Sequence, residues 1–169
     1  MTLYLCGFMG CGKSTVGKLL ASKLGLEFID LDEYITLVEN CSIPEIFEKK
    51  GEKYFRNAEA KAIETLSSNN AVIACGGGTI LNDNSAMTAK SHGTVIFLDI
   101  SFKKCYCRIK NDNNRPLVMN NTEQQLNQIF TQRHDVYLKN SELTVNADNS
   151  PLVICDEIIN AIKNSNSGK

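Results

Sequence analysis

The segment Gly7-Phe8-Met9-Gly10-Cys11-Gly12-Lys13-Ser14 spells G-x-x-x-x-G-K-[ST], the phosphate-binding loop of nucleotide-handling proteins. Gly7, Gly10 and Gly12 let the backbone turn tightly and bring its N–H groups against phosphate oxygens. Lys13 can reach the β/γ-phosphates, and the Ser14 hydroxyl can ligate Mg²⁺. The spelling carries weight only between a strand and a helix, and both flanks fit. Leu3-Tyr4-Leu5-Cys6 is a short apolar run that suits a buried parallel strand. Beyond Ser14, the residues Val16, Leu19, Leu20, Lys23 and Leu24 keep helical spacing until Gly25 stops it. A helix that opens inside the loop aims its N-terminal N–H groups and positive dipole end at the bound anion.

The rest of the chain alternates strand and helix, which signals a parallel sheet with helices on both faces. Four more strands are expected: Phe28-Ile29 ending at Asp30, Ala71-Val72-Ile73-Ala74, Val95-Ile96-Phe97-Leu98 ending at Asp99, and Leu143-Thr144-Val145. All five read as continuous apolar runs. Helical stretches are expected over about 32–39, from the capping box Ser42-Ile43-Pro44-Glu45 with an interruption at Gly51, over 52–66, from near Asn82 and over 102–110. A second capping box, Thr122-Glu123-Gln124-Gln125, opens another helix, and Ser150-Pro151 starts the last one. The Asn-rich stretch from Asn111 to Asn121 reads as a mobile loop, and 164–169 as a frayed end.

Composition narrows the function. At 169 residues, one domain is expected. A formal net charge of −1 argues against a nucleic-acid binder that relies on bulk charge. There is no apolar run of the roughly 18 residues that a membrane span needs. The N-terminus lacks the basic region of a signal peptide, so a cytoplasmic protein is expected. Seven cysteines, an odd number with no C-x-x-C, fit the same compartment and read mostly as small core residues. Cys105 and Cys107 should face apart on their helix. Cys11 stands out, because a thiol near a helix N-terminus tends towards reactivity.

In doubly wound sheets, ligands bind at the carboxyl ends of the strands. Asp30 and Asp32 fall there, two apart. In extended backbone that spacing puts both carboxylates on one side, one near Mg²⁺ and the other near an acceptor hydroxyl. A helix cap is the plainer alternative for one of them. Gly76-Gly77-Gly78 ends the third strand where many phosphate-loop enzymes carry an acid, and it permits close backbone approach to a ligand. Arg56 has Glu59 three residues on, within reach of a helical ion pair. Arg115 sits in the polar loop, where basic residues close over nucleotides. Arg108 either stacks on a base or faces water.

Taken together, these stretches resemble the shikimate kinases of the nucleoside-monophosphate-kinase-like branch. The resemblance spans nearly the whole chain. It rests on the loop through Thr15, Phe28-Ile29-Asp30-Leu31-Asp32, Ile46-Phe47-Glu48-Lys49-Lys50-Gly51-Glu52-Lys53-Tyr54-Phe55-Arg56, the triple glycine, Arg115-Pro116-Leu117, and Arg133 followed by Tyr137. It implies an α/β phosphate-loop kinase fold, with a doubly wound five-stranded parallel sheet ordered 2-3-1-4-5 and a mobile lid at about 111–121. An acceptor-binding helical region would span about 32–60. The implied reaction is ATP-dependent phosphorylation of the shikimate 3-hydroxyl, with ATP as co-substrate and Mg²⁺ as cofactor.

By the same resemblance, Gly10, Cys11, Gly12, Lys13, Ser14, Thr15, Arg108 and Arg115 would bind ATP. Lys13 and Arg115 would contact the transferring phosphate. Asp32 would bind acceptor hydroxyls and is the candidate base. Arg56 and Arg133 would clamp the carboxylate, and Gly76, Gly77 and Gly78 would line the pocket between the apolar walls Phe47 and Phe55. Ser14, with Asp30, would hold Mg²⁺. The implied partners are ATP and shikimate, without nucleic acid or membrane, and the implied state is a monomer. A gluconate kinase shares the loop and sheet, but the triple glycine together with Gly-Glu-x-x-Phe-Arg argues against it. A GTPase-like switch would need Asn-Lys-x-Asp, which this chain lacks.

Overall fold

The computed structural model describes residues 1–112 and 115–167, with side chains described through residue 164. Five strands, β1 (Thr2–Cys6), β2 (Glu27–Asp30), β3 (Ala71–Ala74), β4 (Gly93–Asp99) and β5 (Leu143–Asn146), form one sheet. The order is β2-β3-β1-β4-β5, and every neighbouring pair is parallel. All five strands therefore end on one edge, and the polar segments follow from that edge.

All five strands read as continuous apolar runs, but they are not equally buried. β1 and β3 are buried throughout and β4 over Val95–Leu98, whereas β2 and β5 at the sheet edges stay partly exposed. An edge strand has a neighbour on one side only, so its other side stays open. Leu3, Leu5, Val72, Ile73, Val95 and Ile96 form the centre of the core.

The phosphate loop runs into α1 (Lys13–Leu24), which Gly25 closes in the left-handed conformation at φ 66°. α1 packs against β2, β3 and α8 (Pro151–Ser167). α8 runs to Ser167 and so includes 164–167 of the expected frayed end; Gly168 and Lys169 lie outside the described residues. α2 (Leu31–Glu39) follows β2 directly. α3 (Ile43–Leu66) begins at the Ser42–Glu45 capping box and kinks at Gly51, whose φ of 81° and ψ of 167° break the helical path.

After β3, the glycine strap leads into a 3-10 turn at Thr79–Leu81, which the sequence did not signal. Asn82 then caps α4 (Asp83–His92), which packs on α3 and β4. α5 (Phe102–Ile109) buries Cys105 and exposes Cys107, as their spacing requires. Within the expected loop at 111–121, the segment from Pro116 to Met119 folds into a single helical turn, α6. Proline at its first position suits a helix start. Asn113 and Asn114, at the centre of the expected lid, lie outside the described residues. α7 (Glu123–Asn140) starts at the Thr122–Gln125 capping box and carries Arg133 and Tyr137 back to the strand ends. Among the described residues, no helix is long and apolar enough to cross a membrane.

Candidate active site

The Gly7–Gly12 loop leaves the end of β1 and takes positive φ at Gly7 (138°), Gly10 (80°) and Gly12 (106°). A side chain at Gly10 would be strained by that φ and would meet the Cys105 carbonyl oxygen at 2.9 Å. Lys13 Nζ curls over the loop and donates to the carbonyls of Gly7 (2.9 Å) and Phe8 (3.1 Å). Its ammonium is thereby held above the cradle that the loop forms. Cys11 is only 2% exposed, and a Cβ on Gly7 would touch its sulfur at 2.9 Å. The thiol is packed beneath the loop, which runs against the reactivity expected from its place in the sequence. Cys6, Cys75, Cys105 and Cys155 are likewise buried and free.

Arg108 neither floats nor simply faces water. Its Nη1 donates to the Gly10 carbonyl at 2.9 Å, tying α5 to the loop. Ser14, at the start of α1, donates from Oγ to Asp30 Oδ2 at 2.7 Å. The other oxygen of Asp30 accepts from the backbone N–H of Asp32 (3.1 Å) and of Glu33 (3.5 Å). Asp30 is therefore the cap of α2 and the partner of Ser14 at once. The expectation that Asp30 and Asp32 share an extended segment is corrected here. Asp32 lies in the first turn of α2, and the helix, not strand pleating, turns its carboxylate into the site.

A cavity of ≈ 340 Å³ lies over the loop. All eight residues matched to a nucleotide, namely Gly10, Cys11, Gly12, Lys13, Ser14, Thr15, Arg108 and Arg115, line it. A second cavity of ≈ 800 Å³ opens beside it between α2, α3, α6 and α7. Its lining includes all eight residues matched to an acceptor: Asp32, Phe47, Phe55, Arg56, Gly76, Gly77, Gly78 and Arg133. The two cavities share Ser14, Asp30, Asp32, Gly77 and Arg115. A group bound in one is thus in reach of a group bound in the other across these five residues.

The acceptor side is built from charge. Arg56 donates to Glu59 Oε2 at 2.6 Å, as its spacing predicts, and also to Glu52 at 2.9 Å. Glu59 is 1% exposed, and its other oxygen accepts from the Thr79 hydroxyl at 2.5 Å. The buried carboxylate is fully engaged, which is what makes its burial tolerable. Phe47 and Phe55 meet at 5.0 Å between ring centres, and the Arg56 guanidinium lies 5.5 Å from the Phe55 ring. Arg133 reaches the Gly77 carbonyl from α7 at 3.4 Å. Arg115 donates to Asp112 at 2.8 Å.

The strap glycines serve these side chains. A Cβ on Gly76 would lie 2.6 Å from Glu59 Oε1 and 2.7 Å from Asp32 Oδ1. One on Gly78 would lie 2.1 Å from Arg56 Nη1. Burial raises the Asp32 carboxyl above its ordinary range, and the neighbouring charge of Asp30 raises it further against the pull of Lys13, Arg115 and Arg56. Burial also raises Glu59, while Arg56 and Thr79 draw it back. Sequence reasoning found Glu59 as a partner of Arg56 but missed Glu52 and Thr79. The i, i+4 spacing could have signalled Glu52; nothing local marks Thr79, whose role depends on where the strap passes α3.

The model of the shikimate kinase family matches residues 9–163 of this chain. The chain belongs to that family. A shikimate kinase from Sulfurihydrogenibium sp. is 43% identical over 163 residues, covering 95% of this chain and 97% of the relative. A solved shikimate kinase from Acinetobacter baumannii, in complex with shikimate, superposes with a TM-score of 0.92 at 35% identity, covering 97% of this chain and 93% of its own. A gluconokinase from Sinorhizobium meliloti shares the fold at a TM-score of 0.54 and 18% identity, covering 92% of this chain and 87% of its own. The shikimate kinase family thus matches almost every segment that lines the two cavities, while the gluconokinase matches the scaffold.

Proposed function

We propose that this chain transfers the γ-phosphoryl group of ATP to the 3-hydroxyl of shikimate, giving shikimate 3-phosphate and ADP. The observation that carries this reading is the meeting of the two cavities at Asp32 and Arg115. A basic phosphate cradle lies on one side, and a pocket that includes Arg56, Arg133, Asp32 and aromatic walls lies on the other. Shikimate is a small ring with one carboxylate and several hydroxyls. Two guanidinium groups match the carboxylate, and Asp32 matches hydroxyls.

In this reading Arg56, braced by Glu52 and Glu59, and Arg133 bind the carboxylate. Phe47 and Phe55 cover the ring. Asp32 accepts a hydrogen bond from the 3-hydroxyl and takes its proton as the O–P bond forms; the bond from the γ-phosphorus to the β,γ-bridging oxygen breaks, and ADP leaves. Its raised carboxyl suits a group that must accept and then release a proton. Lys13 and Arg115 face the charge that spreads over the transferring group. Arg108 and the loop glycines hold the rest of the nucleotide.

The hard oxygens of Ser14 and Asp30, already 2.7 Å apart, suit Mg²⁺. Ser14 and Asp30 would hold the ion, which would supply positive charge against the phosphates. The chain acts as a single domain and a monomer in the cytoplasm, with segment 111–121 as its lid. A coupled ADP-release assay tests the reaction. Turnover with shikimate and none with gluconate is expected; turnover with gluconate alone would overturn the proposal.

A further inference from the structure

The Gly77 carbonyl accepts from two donors, and both come from one face of α7. Tyr137 Oη donates to it at 2.5 Å, and Arg133 Nη1 donates at 3.4 Å. The two residues are four apart on the helix, so they lie one turn from each other. The bonds are unequal. The tyrosine bond is short, whereas the arginine bond is at the limit of what counts as one.

The tyrosine is also the fixed partner. It is 1% exposed, and its ring lies 5.3 Å from Phe97 at an interplanar angle of 31°. Burial pushes its hydroxyl up, so it stays protonated and remains a donor across the neutral range. Arg133 has the opposite character: it is half-buried and lines the acceptor cavity. An arginine that must swing to a ligand carboxylate leaves behind whatever acceptor it was holding. A carbonyl already satisfied by another donor loses little when that happens; a carbonyl with no other donor resists it.

We infer that Tyr137 is a positioning residue for acceptor binding: by holding the Gly77 carbonyl itself, its hydroxyl frees the Arg133 guanidinium to move to the incoming carboxylate. The inference rests on the proposed shikimate reaction and deepens it. It makes the strap carbonyl, Tyr137 and Arg133 one device, in which the tyrosine never touches substrate. Without the hydroxyl, Arg133 becomes the donor that the carbonyl depends on, and the acceptor must compete for it.

The test is Tyr137→Phe, which keeps the ring and removes only the hydroxyl. The expected result is a rise in the KM for shikimate of roughly five- to tenfold, with kcat and the KM for ATP within about twofold of wild type. Thermal melting checks that the variant is folded. In an Arg133→Ala background, adding Tyr137→Phe should raise the shikimate KM by less than about twofold, because the residue it acts through is gone. A merely structural role would instead give the same factor in both backgrounds, or move both KM values together, and either result overturns the inference. An unchanged shikimate KM in Tyr137→Phe does so as well. Failure of the underlying reading looks different: the wild-type protein would not phosphorylate shikimate at all, and both would fall together.

Discussion

In the phosphate loop glycine is set by the backbone; at Gly76 and Gly78 of the strap it is set by neighbouring side chains. Gly10 and Gly12 hold φ values of 80° and 106°, which side chains rarely adopt. None of Gly76, Gly77 and Gly78 has positive φ, and Gly78 sits at −109°. Gly76 and Gly78 are small because Asp32, Glu59 and Arg56 fill the room a Cβ would take. The nucleotide side is therefore largely written in backbone, and the acceptor side in packed charge. Backbone sites are local and stiff. Side-chain sites draw on distant segments, and they store the cost of burying carboxylates.

The largest expected effect probes that stored cost. Asp32→Asn should lower turnover about 10³-fold while nucleotide binding survives. It should also stabilise the protein at neutral pH. Asp32's carboxyl is raised on folding, so the folded chain keeps a proton that the unfolded chain has lost. Wild-type stability therefore falls as pH rises from the ordinary carboxylate range through the raised value. The variant escapes that loss, so it should melt higher at pH 7 and match wild type below the ordinary carboxylate range. A variant that melts lower at pH 7 would contradict the assignment of buried charge as the cost.

Arg115→Ala should lower kcat by about 3 kcal/mol of transition-state stabilisation, with little change in shikimate affinity. Steady-state kinetics checks this, and wild-type kcat would remove Arg115 from the reacting end. The two clamp arginines should then separate. Arg56→Ala and Arg133→Ala should each weaken shikimate binding in calorimetry. Only Arg56→Ala strands Glu59, so it alone should lose about 3 kcal/mol of stability. Adding Glu59→Gln to Arg56→Ala should restore stability but not affinity.

The smallest effects set glycine against glycine. Gly10→Ala should cost about 1 kcal/mol of stability, from the left-handed backbone, and weaken nucleotide binding. Gly78→Ala keeps an ordinary backbone but pushes on the Arg56 guanidinium, so it should raise the shikimate KM and leave nucleotide binding unchanged. Identical profiles for the two variants would erase the distinction between the two regions.

Legibility in the sequence follows the same division. The loop, its flanking strand and helix, both capping boxes and the Gly51 break are local in chain, so residue types and spacing sufficed to place them. Sheet order came from the resemblance, and so did the pairing of Arg56 with Arg133, which are 77 positions apart and meet only through the fold. Two features escaped for physical reasons. Asp30 and Asp32 read as extended because a strand precedes them, yet the cap formed by Asp30 starts a helix one residue later. Thr79 carries no signal of its own, since its hydroxyl matters only where the strap crosses Glu59. Cys11 shows the converse: its position suggested reactivity, and the fold packs the thiol beneath the loop at 2% exposure.

The most direct measurement is ³¹P NMR of the product formed from ATP and shikimate, with Mg²⁺ and with a chelator in its place. The account predicts a single phosphate monoester on the 3-hydroxyl, equal in amount to the ADP released, and almost none under chelation. ADP without that ester, or a phosphate on another hydroxyl, would contradict it.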